Sequence, residues 1–278
     1  MKKTIMLFMF FIAHTLFAQE NVLTPQDVAK IEYITNAVIS KNGDKVAYQH
    51  LVPMDPGEKN ATAKVYLYVY DRSTKTTSPY ITDYSTNNIS FRPGHNSITF
   101  TARKENDKST ALYEISLGGG EAQKLYEFDN SISSYDWHPN GTKLAFVSHK
   151  SEEKEDSNLP YQPEVYENDL RKSMVFIVDM NNPSTRELNV EGHATAVQWN
   201  PDGGKLAVSA APSSLVDDFY TGQKIYIIDA STSNVTAQVD HRAKLGEFKW
   251  SPDGRQIAFI AGQDLSITLI CRCRPYRV

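Results

Sequence analysis

Histidine, cysteine and glycine are the residue types whose spacing would first reveal a chemical site, and none of them forms one in this sequence. The seven histidines never occur at the His-x-x-x-His spacing of a metal site. The two cysteines, Cys271 and Cys273, are too few for a four-ligand zinc site or a disulfide scaffold. Glycines 118–120 lack the helix and the Lys-Ser/Thr pair of a phosphate loop, which favours a turn. We therefore predict no metal and no cofactor.

Carboxylates are the remaining candidates. Glu164, Glu167 and Asp169 lie close together in the segment 161–171, which also contains two tyrosines. The acidic run at 152–156 before them is interpreted as a solvent-exposed loop. The chain contains no Gly-x-Ser-x-Gly, the strained turn that presents the nucleophile of a serine hydrolase.

The composition is that of a folded domain with a slight negative charge. The chain has 278 residues, 40% of them hydrophobic, and its 29 basic and 33 acidic residues give a net charge of −4. Nucleic-acid binding needs a basic surface that displaces counterions, so no nucleic-acid partner is expected.

The first 18 residues indicate a secretory signal peptide. Two lysines precede an uncharged apolar run that is shorter than the about 20 residues of a spanning helix, and Ala18 is a small residue at the cleavage point. An uncleaved membrane anchor is the alternative. We expect a periplasmic or secreted protein with no membrane attachment once the signal peptide is removed.

A ten-residue pattern recurs five times in the rest of the chain. Its positions, numbered one to ten, are typified by Trp-x-Pro-Asp-Gly-x-x-Leu-Ala-Phe. Position eight is always branched and apolar, and position nine is alanine in four copies. The copies begin at Ile39, Phe91, Trp137, Trp199 and Trp250.

Positions three and five carry the turn chemistry of a β-hairpin. Proline at position three presets φ, and glycine at position five can adopt the left-handed conformation that a bulged turn requires. The residues predicted to have this structural role are Gly43, Pro93, Pro139, Gly141, Pro201, Gly203, Pro252 and Gly254.

Further apolar strands follow the hairpins, so that each repeat contains four strands. Four-stranded sheets that bury both faces against their neighbours form a β-propeller, an all-β fold, and a tandem sandwich is the alternative. We predict an incomplete propeller over residues 37–266, with about four blades plus one hairpin. A short N-terminal arm at 19–36 precedes it, where Thr24 can cap a helix.

The repeats resemble those of periplasmic TolB-type proteins and of the prolyl oligopeptidase family (S9) of serine peptidases. The arm from Leu23 to Ile31, which leads into the repeat at 38–48, resembles the start of the acylaminoacyl-peptidase and dipeptidyl-peptidase branch. The resemblance covers roughly residues 20–265. It implies the substrate-gating propeller of a secreted serine exopeptidase, and an autonomous TolB-like binding scaffold is the alternative.

The resemblance also implies a partner and a role for the carboxylates. In that family the catalytic Ser, Asp and His belong to an α/β-hydrolase domain after the propeller, and this chain lacks such a domain. We therefore expect a peptide substrate reached through that missing domain, and no peptidase activity from the chain alone. Related dipeptidyl peptidases hold the free amine of the substrate with propeller carboxylates, and Glu164, Glu167 and Asp169 are the candidates for this role.

The end of the chain departs from the repeat. Residues 267–278 contain both cysteines and are interpreted as an atypical tail, which indicates a truncated or frameshifted product; a natural short tail is the alternative. An incomplete ring is expected to expose an apolar face on the fifth unit, with Trp250, Ile257 and Phe259 on it.

Overall fold

β-Strands make up almost all of the regular secondary structure in this computed structural model, which describes residues 23–55, 57–58, 62–149, 170–239, 241, 244–262 and 272–278. The strands are β1 (Tyr33–Ile39), β2 (Lys45–Val52), β3 (Lys64–Asp71), β4 (Thr76–Ile81), β5 (Asn87–Phe91), β6 (Ser97–Ala102), β7 (Ala111–Ser116), β8 (Gln123–Tyr126), β9 (Ser134–Trp137), β10 (Lys143–His149), β11 (Ser173–Asp179), β12 (Asn182–Leu188), β13 (His193–Trp199), β14 (Lys205–Ala211), β15 (Lys224–Asp229), β16 (Val235–Val239), β17 (Leu245–Trp250), β18 (Gln256–Ala261) and β19 (Arg272–Arg277). The helices are α1 (Pro25–Ala29) and α2 (Val216–Thr221). Within the described residues, neither helix has the length and apolar character needed to cross a membrane.

The strands form five antiparallel sheets, which are the blades of a β-propeller. Blades 1 to 4 contain β1–β4, β5–β8, β9–β12 and β13–β16, and blade 5 contains β17–β19. In each blade the first strand lines a central cavity, and the later strands pair outward in chain order. The all-β propeller predicted from the repeats is confirmed.

Blade 5 differs from the predicted lone hairpin followed by an atypical tail at 267–278. Strand β19 lies in that tail and pairs antiparallel with β18 along its whole length. The side-chain pattern did not predict this strand. The main-chain hydrogen bonds that pair two strands form whether or not apolar and polar side chains alternate. At the other end of the chain, β1 begins at Tyr33, inside the segment 19–36 that was predicted to be an arm.

The turn between the first two strands has the same main-chain hydrogen bonds in all five blades. In blade 3 the amide of Gly141 donates to the carbonyl of His138 at 2.8 Å, and the amide of His138 donates to the carbonyl of Lys143 at 2.9 Å. The glycines at position five with φ between 68° and 78° are Gly43, Gly141, Gly203 and Gly254. Blade 2 has its positive φ, 74°, one position earlier at Gly94, as a type II turn requires after proline.

Packing between blades follows one rule along the second strand of each blade. Side chains at positions eight and ten face the preceding blade, and the side chain at position nine faces the following blade. In blade 3, Leu144 and Phe146 pack with Leu112 of blade 2, whereas Ala145 packs against blade 4. Fully burying a large apolar side chain contributes about 1.5–3 kcal/mol, so these contacts hold neighbouring blades together.

The same rule overturns the expectation that Trp250, Ile257 and Phe259 lie on an exposed face. Ile257 and Phe259 occupy positions eight and ten of blade 5, are 0% and 4% exposed, and pack against blade 4. Trp250 is half-buried against the same cluster. The exposed positions of β18 alternate with the buried ones and include Ala258 and Ile260.

The connections lie on two opposite faces of the propeller, because successive antiparallel strands reverse direction. Each turn between the first and second strands has five residues, and these turns define the turn face. The connections between the second and third strands have 8 to 23 residues and define the loop face. Helix α2 belongs to such a connection in blade 4. Long loops on a rigid scaffold are common carriers of binding function.

Turns of neighbouring blades touch each other at Gly141, which gives a test of the packing. A Cβ atom at Gly141 would lie 1.9 Å from the carbonyl oxygen of Pro93 in blade 2. We expect Gly141→Ala to lower the free energy of unfolding by several kcal/mol, because it combines left-handed strain of about 1–2 kcal/mol with displacement of the adjacent turn. Urea denaturation of the purified chain measures this loss.

Gly43→Ala is the matched control, since Gly43 has φ +72° and a Cβ atom added there would have no atom within 4 Å. Its expected loss is the left-handed strain alone, about 1–2 kcal/mol. Equal losses in the two variants would contradict a contact between the turns.

Candidate functional site

The first strands of the five blades line a central cavity of about 710 Å³. This volume lies in the range of about 300–1,000 Å³ that is typical of small-ligand pockets. The polar residues of the wall are Asn36, Asn88, Ser90, Ser134, Tyr135, Asp136, Thr195, Gln198, Ser209, Gln223, Glu247 and Lys249. Every blade contributes at least one of them, so each of the five blades presents polar groups to the cavity.

Two of these polar side chains join neighbouring blades. The Nδ2 of Asn88 donates to the carbonyl of Ser133 in blade 3 at 3.0 Å. The Nε2 of Gln198 donates to the carbonyl of Phe248 in blade 5 at 2.9 Å. We call these contacts inter-blade clamps. They mean that the polar wall also holds the blades in place.

Asp136 forms a third inter-blade clamp and adds a carboxylate to the wall. Its Oδ2 accepts a hydrogen bond of 2.7 Å from the main-chain amide of Trp199 in blade 4. Burial raises the pKa of Asp136 to about 6, while the Trp199 amide and the positive charge of Lys249 lower it. Above that pH the wall carries a poorly solvated negative charge, beside which a cationic ligand group is favoured.

Helix α2 borders the cavity at the loop face through Phe219. The Nε2 of Gln223 donates to the Phe219 carbonyl at 2.8 Å, and its Oε1 accepts from the Oγ of Ser209 at 2.8 Å. The Oγ1 of Thr195, on the inner strand β13, donates to the same Ser209 Oγ at 2.9 Å. This chain of hydrogen bonds ties the helix to the wall and fixes Phe219 at the rim, where the residue is 42% exposed.

The carboxylates selected from the sequence, Glu164, Glu167 and Asp169, lie outside the described residues. The carboxylates that line the described cavity are Asp136 and Glu247. Neither was identified as a candidate from the sequence, because each lies in a strand of the repeat and has no local motif around it.

The repeat nevertheless contains a pattern from which Asp136 could have been identified as a candidate. The residue just before position one lines the cavity in every blade, yet its chemical type changes from blade to blade. These residues are Val38, Ser90, Asp136, Gln198 and Lys249. A residue that is polar in four of the five blades and varies in type, at a fixed cavity-lining position of a regular repeat, is the pattern expected of a binding wall.

The wall supports noncovalent binding. It carries hydroxyl groups, amides, two carboxylates and one ammonium group. In the part of the chain that the structure describes, no three His, Cys, Asp or Glu side chains come together as a ligand set for a metal ion.

No protein-family model matches the chain. Among curated proteins, the chain is 21% identical over 244 residues to the uncharacterized peptidase YuxL of Bacillus subtilis (strain 168). The match covers 87% of this chain and 31% of that peptidase. The chain therefore spans about a third of the length of this relative.

Solved structures share the propeller. TolB from Acinetobacter baumannii superposes with a TM-score of 0.56 at 18% identity, over 84% of this chain and 49% of that one. The acylaminoacyl peptidase of Pyrococcus horikoshii superposes with a TM-score of 0.62 at 15% identity, over 90% of this chain and 39% of that one. At these identities the similarity establishes the fold, a propeller of the kind found in TolB and in acylaminoacyl peptidase.

The raised pKa of Asp136 predicts a specific pH dependence of stability. Because its pKa is about 6 in the fold against an ordinary value of 3.8, its stabilising contribution is complete below about pH 4 and is lost as the pH rises through 6. Asp136→Asn cannot ionise but keeps an oxygen that accepts from the Trp199 amide. As the pH rises from 4 to 7.5, we expect the free energy of unfolding of this variant to increase by up to about 3 kcal/mol relative to that of the wild type, as measured by urea denaturation.

Gln198→Ala provides the control, because it removes a neutral inter-blade clamp. It should lower the free energy of unfolding by the same amount at both pH values. If the free energies of unfolding of Asp136→Asn and the wild type differ by the same amount at both pH values, burial does not raise the pKa of this carboxyl group.

Proposed function

We propose that this chain is the substrate-gating propeller of a secreted serine exopeptidase, and that an α/β-hydrolase domain outside this sequence performs the catalysis. The observation that carries the proposal is the match to a peptidase about three times as long, which covers nearly all of this chain. The propeller shared with acylaminoacyl peptidase supports the same assignment, as does the signal-like N-terminus.

The cavity suits this role by its size and its chemistry. A volume of about 710 Å³ admits a short extended peptide but no folded protein. The amides and hydroxyls of the wall can hydrogen-bond to the main chain of a peptide whatever its sequence. The carboxylate of Asp136 is placed to attract a free N-terminal ammonium group, which selects peptide ends over internal segments.

A TolB-like binding scaffold is the second candidate. The similarity to the TolB structure over 84% of this chain favours it. In that case the long connections of the loop face would bind a protein partner, and the cavity would have no peptide to bind. The two candidates therefore differ in what the cavity does.

Peptide binding to the cavity tests the gating role. We expect the purified chain to bind the tetrapeptide amide Ala-Ala-Ala-Phe in isothermal titration calorimetry, and N-terminal acetylation to weaken binding about tenfold because it removes a charge-assisted contact. Asp136→Asn should weaken binding of the free-amine peptide and leave binding of the acetylated peptide unchanged.

Glu247→Gln is the matched control, since it removes the other carboxylate of the wall and keeps Asp136. It should retain the discrimination between the free and the acetylated peptide. If no tetrapeptide binds the wild type, the gating role is wrong and the scaffold role is favoured.

A further inference from the structure

We propose that Phe219 forms an apolar subsite at the loop-face end of the central cavity, and that this subsite takes a hydrophobic side chain of the bound peptide. The proposal rests on the proposed function, because it specifies which peptide the cavity prefers. Among the described residues of the wall, Phe219 is the large apolar side chain that stays exposed, at 42%. An exposed aromatic ring at the edge of a polar cavity is a contact surface that water solvates poorly.

The position of Phe219 is fixed before any ligand arrives. The buried side chain of Gln223 hydrogen-bonds at one end to the Phe219 carbonyl and at the other to Ser209, which Thr195 also contacts. These bonds attach α2 to the inner strand of blade 4. Because these bonds hold the main chain at Phe219, little backbone entropy is lost there on binding, which favours a selective subsite over a flexible surface.

The neighbouring apolar residues of α2 are placed differently. Val216 and Tyr220 are exposed but do not line the cavity. The Nζ of Lys244 lies 5.2 Å from the centroid of the Tyr220 ring and covers one of its faces. Phe219 is therefore the residue of this helix that a ligand inside the cavity can reach.

The positions of α2 and Asp136 along the cavity wall predict where the hydrophobic residue lies in the peptide. Thr195, to which α2 is tied, precedes position one of its repeat by four residues, and Asp136 precedes position one of its own repeat by one residue. Thr195 and Asp136 are therefore three residue positions apart along the inner strands, at most roughly 10 Å of extended strand because Thr195 lies at a β-bulge, and we take this as the separation of the two subsites. An extended peptide spans this distance with three residues.

The ligand predicted for the cavity is therefore a peptide with a free N-terminus and a hydrophobic fourth residue. Its ammonium group would lie at Asp136, where the negative charge complements it, and its fourth side chain would lie against Phe219. Peptides that differ only in that side chain should therefore differ in affinity.

Calorimetric titration with two tetrapeptide amides tests the proposal. The wild-type chain should bind Ala-Ala-Ala-Phe about tenfold more tightly than Ala-Ala-Ala-Ala, a ratio within the range for one apolar contact. Phe219→Ala should reduce this ratio to about one, mainly by weakening binding of Ala-Ala-Ala-Phe. Phe219→Leu, which restores an apolar side chain, should recover part of the ratio.

Val216→Ala is the matched control, because Val216 lies on the same helix and is 66% exposed without lining the cavity. It should keep the wild-type ratio. If the wild type binds both peptides equally, or Phe219→Ala keeps the preference, the subsite is wrong while the gating function stands. If the wild type binds neither peptide, the gating function fails and the subsite fails with it.

Discussion

The need to cover both faces of each blade governs the rest of this structure. A single four-stranded sheet has two apolar faces, and only a neighbouring blade of matching shape can remove both from water. On the second strand of each blade, side chains that face the preceding blade alternate with side chains that face the following blade. Leu144 and Phe146 point back to the preceding blade, and the small Ala145 lets the following blade approach closely.

The same constraint extends to the turns and to the centre of the propeller. Gly141 has room for no Cβ, because the turn of blade 2 packs against it. At the centre, the side chains of Asn88, Asp136 and Gln198 each bond to the main chain of the next blade. The wall of the cavity is therefore built from the groups that hold the blades in register. A binding site made of such groups is rigid and has its binding conformation before a ligand arrives.

The propeller is shared by proteins of different activities, as the similarity to both TolB and acylaminoacyl peptidase shows. Function therefore depends on where this chain departs from its own repeat. Two departures meet in the cavity: a carboxylate at Asp136, where other blades have different side chains, and the helix α2 inserted in blade 4. The first provides a buried negative charge and the second an exposed apolar surface.

The sequence by itself determined the repeat, the turns and the all-β propeller, because these features depend on local chemistry. Proline and glycine set the turn conformation at positions three to five, and period-two apolar residues set the strands. The tertiary structure decided which face of each strand meets which neighbour. Ile257 and Phe259 were expected to be exposed, yet they are buried against blade 4, since facing depends on the order of the blades and not on the local pattern. It also decided the site, because Asp136 of blade 3 and Phe219 of blade 4 are distant in the chain and line the same cavity only when the blades assemble around it.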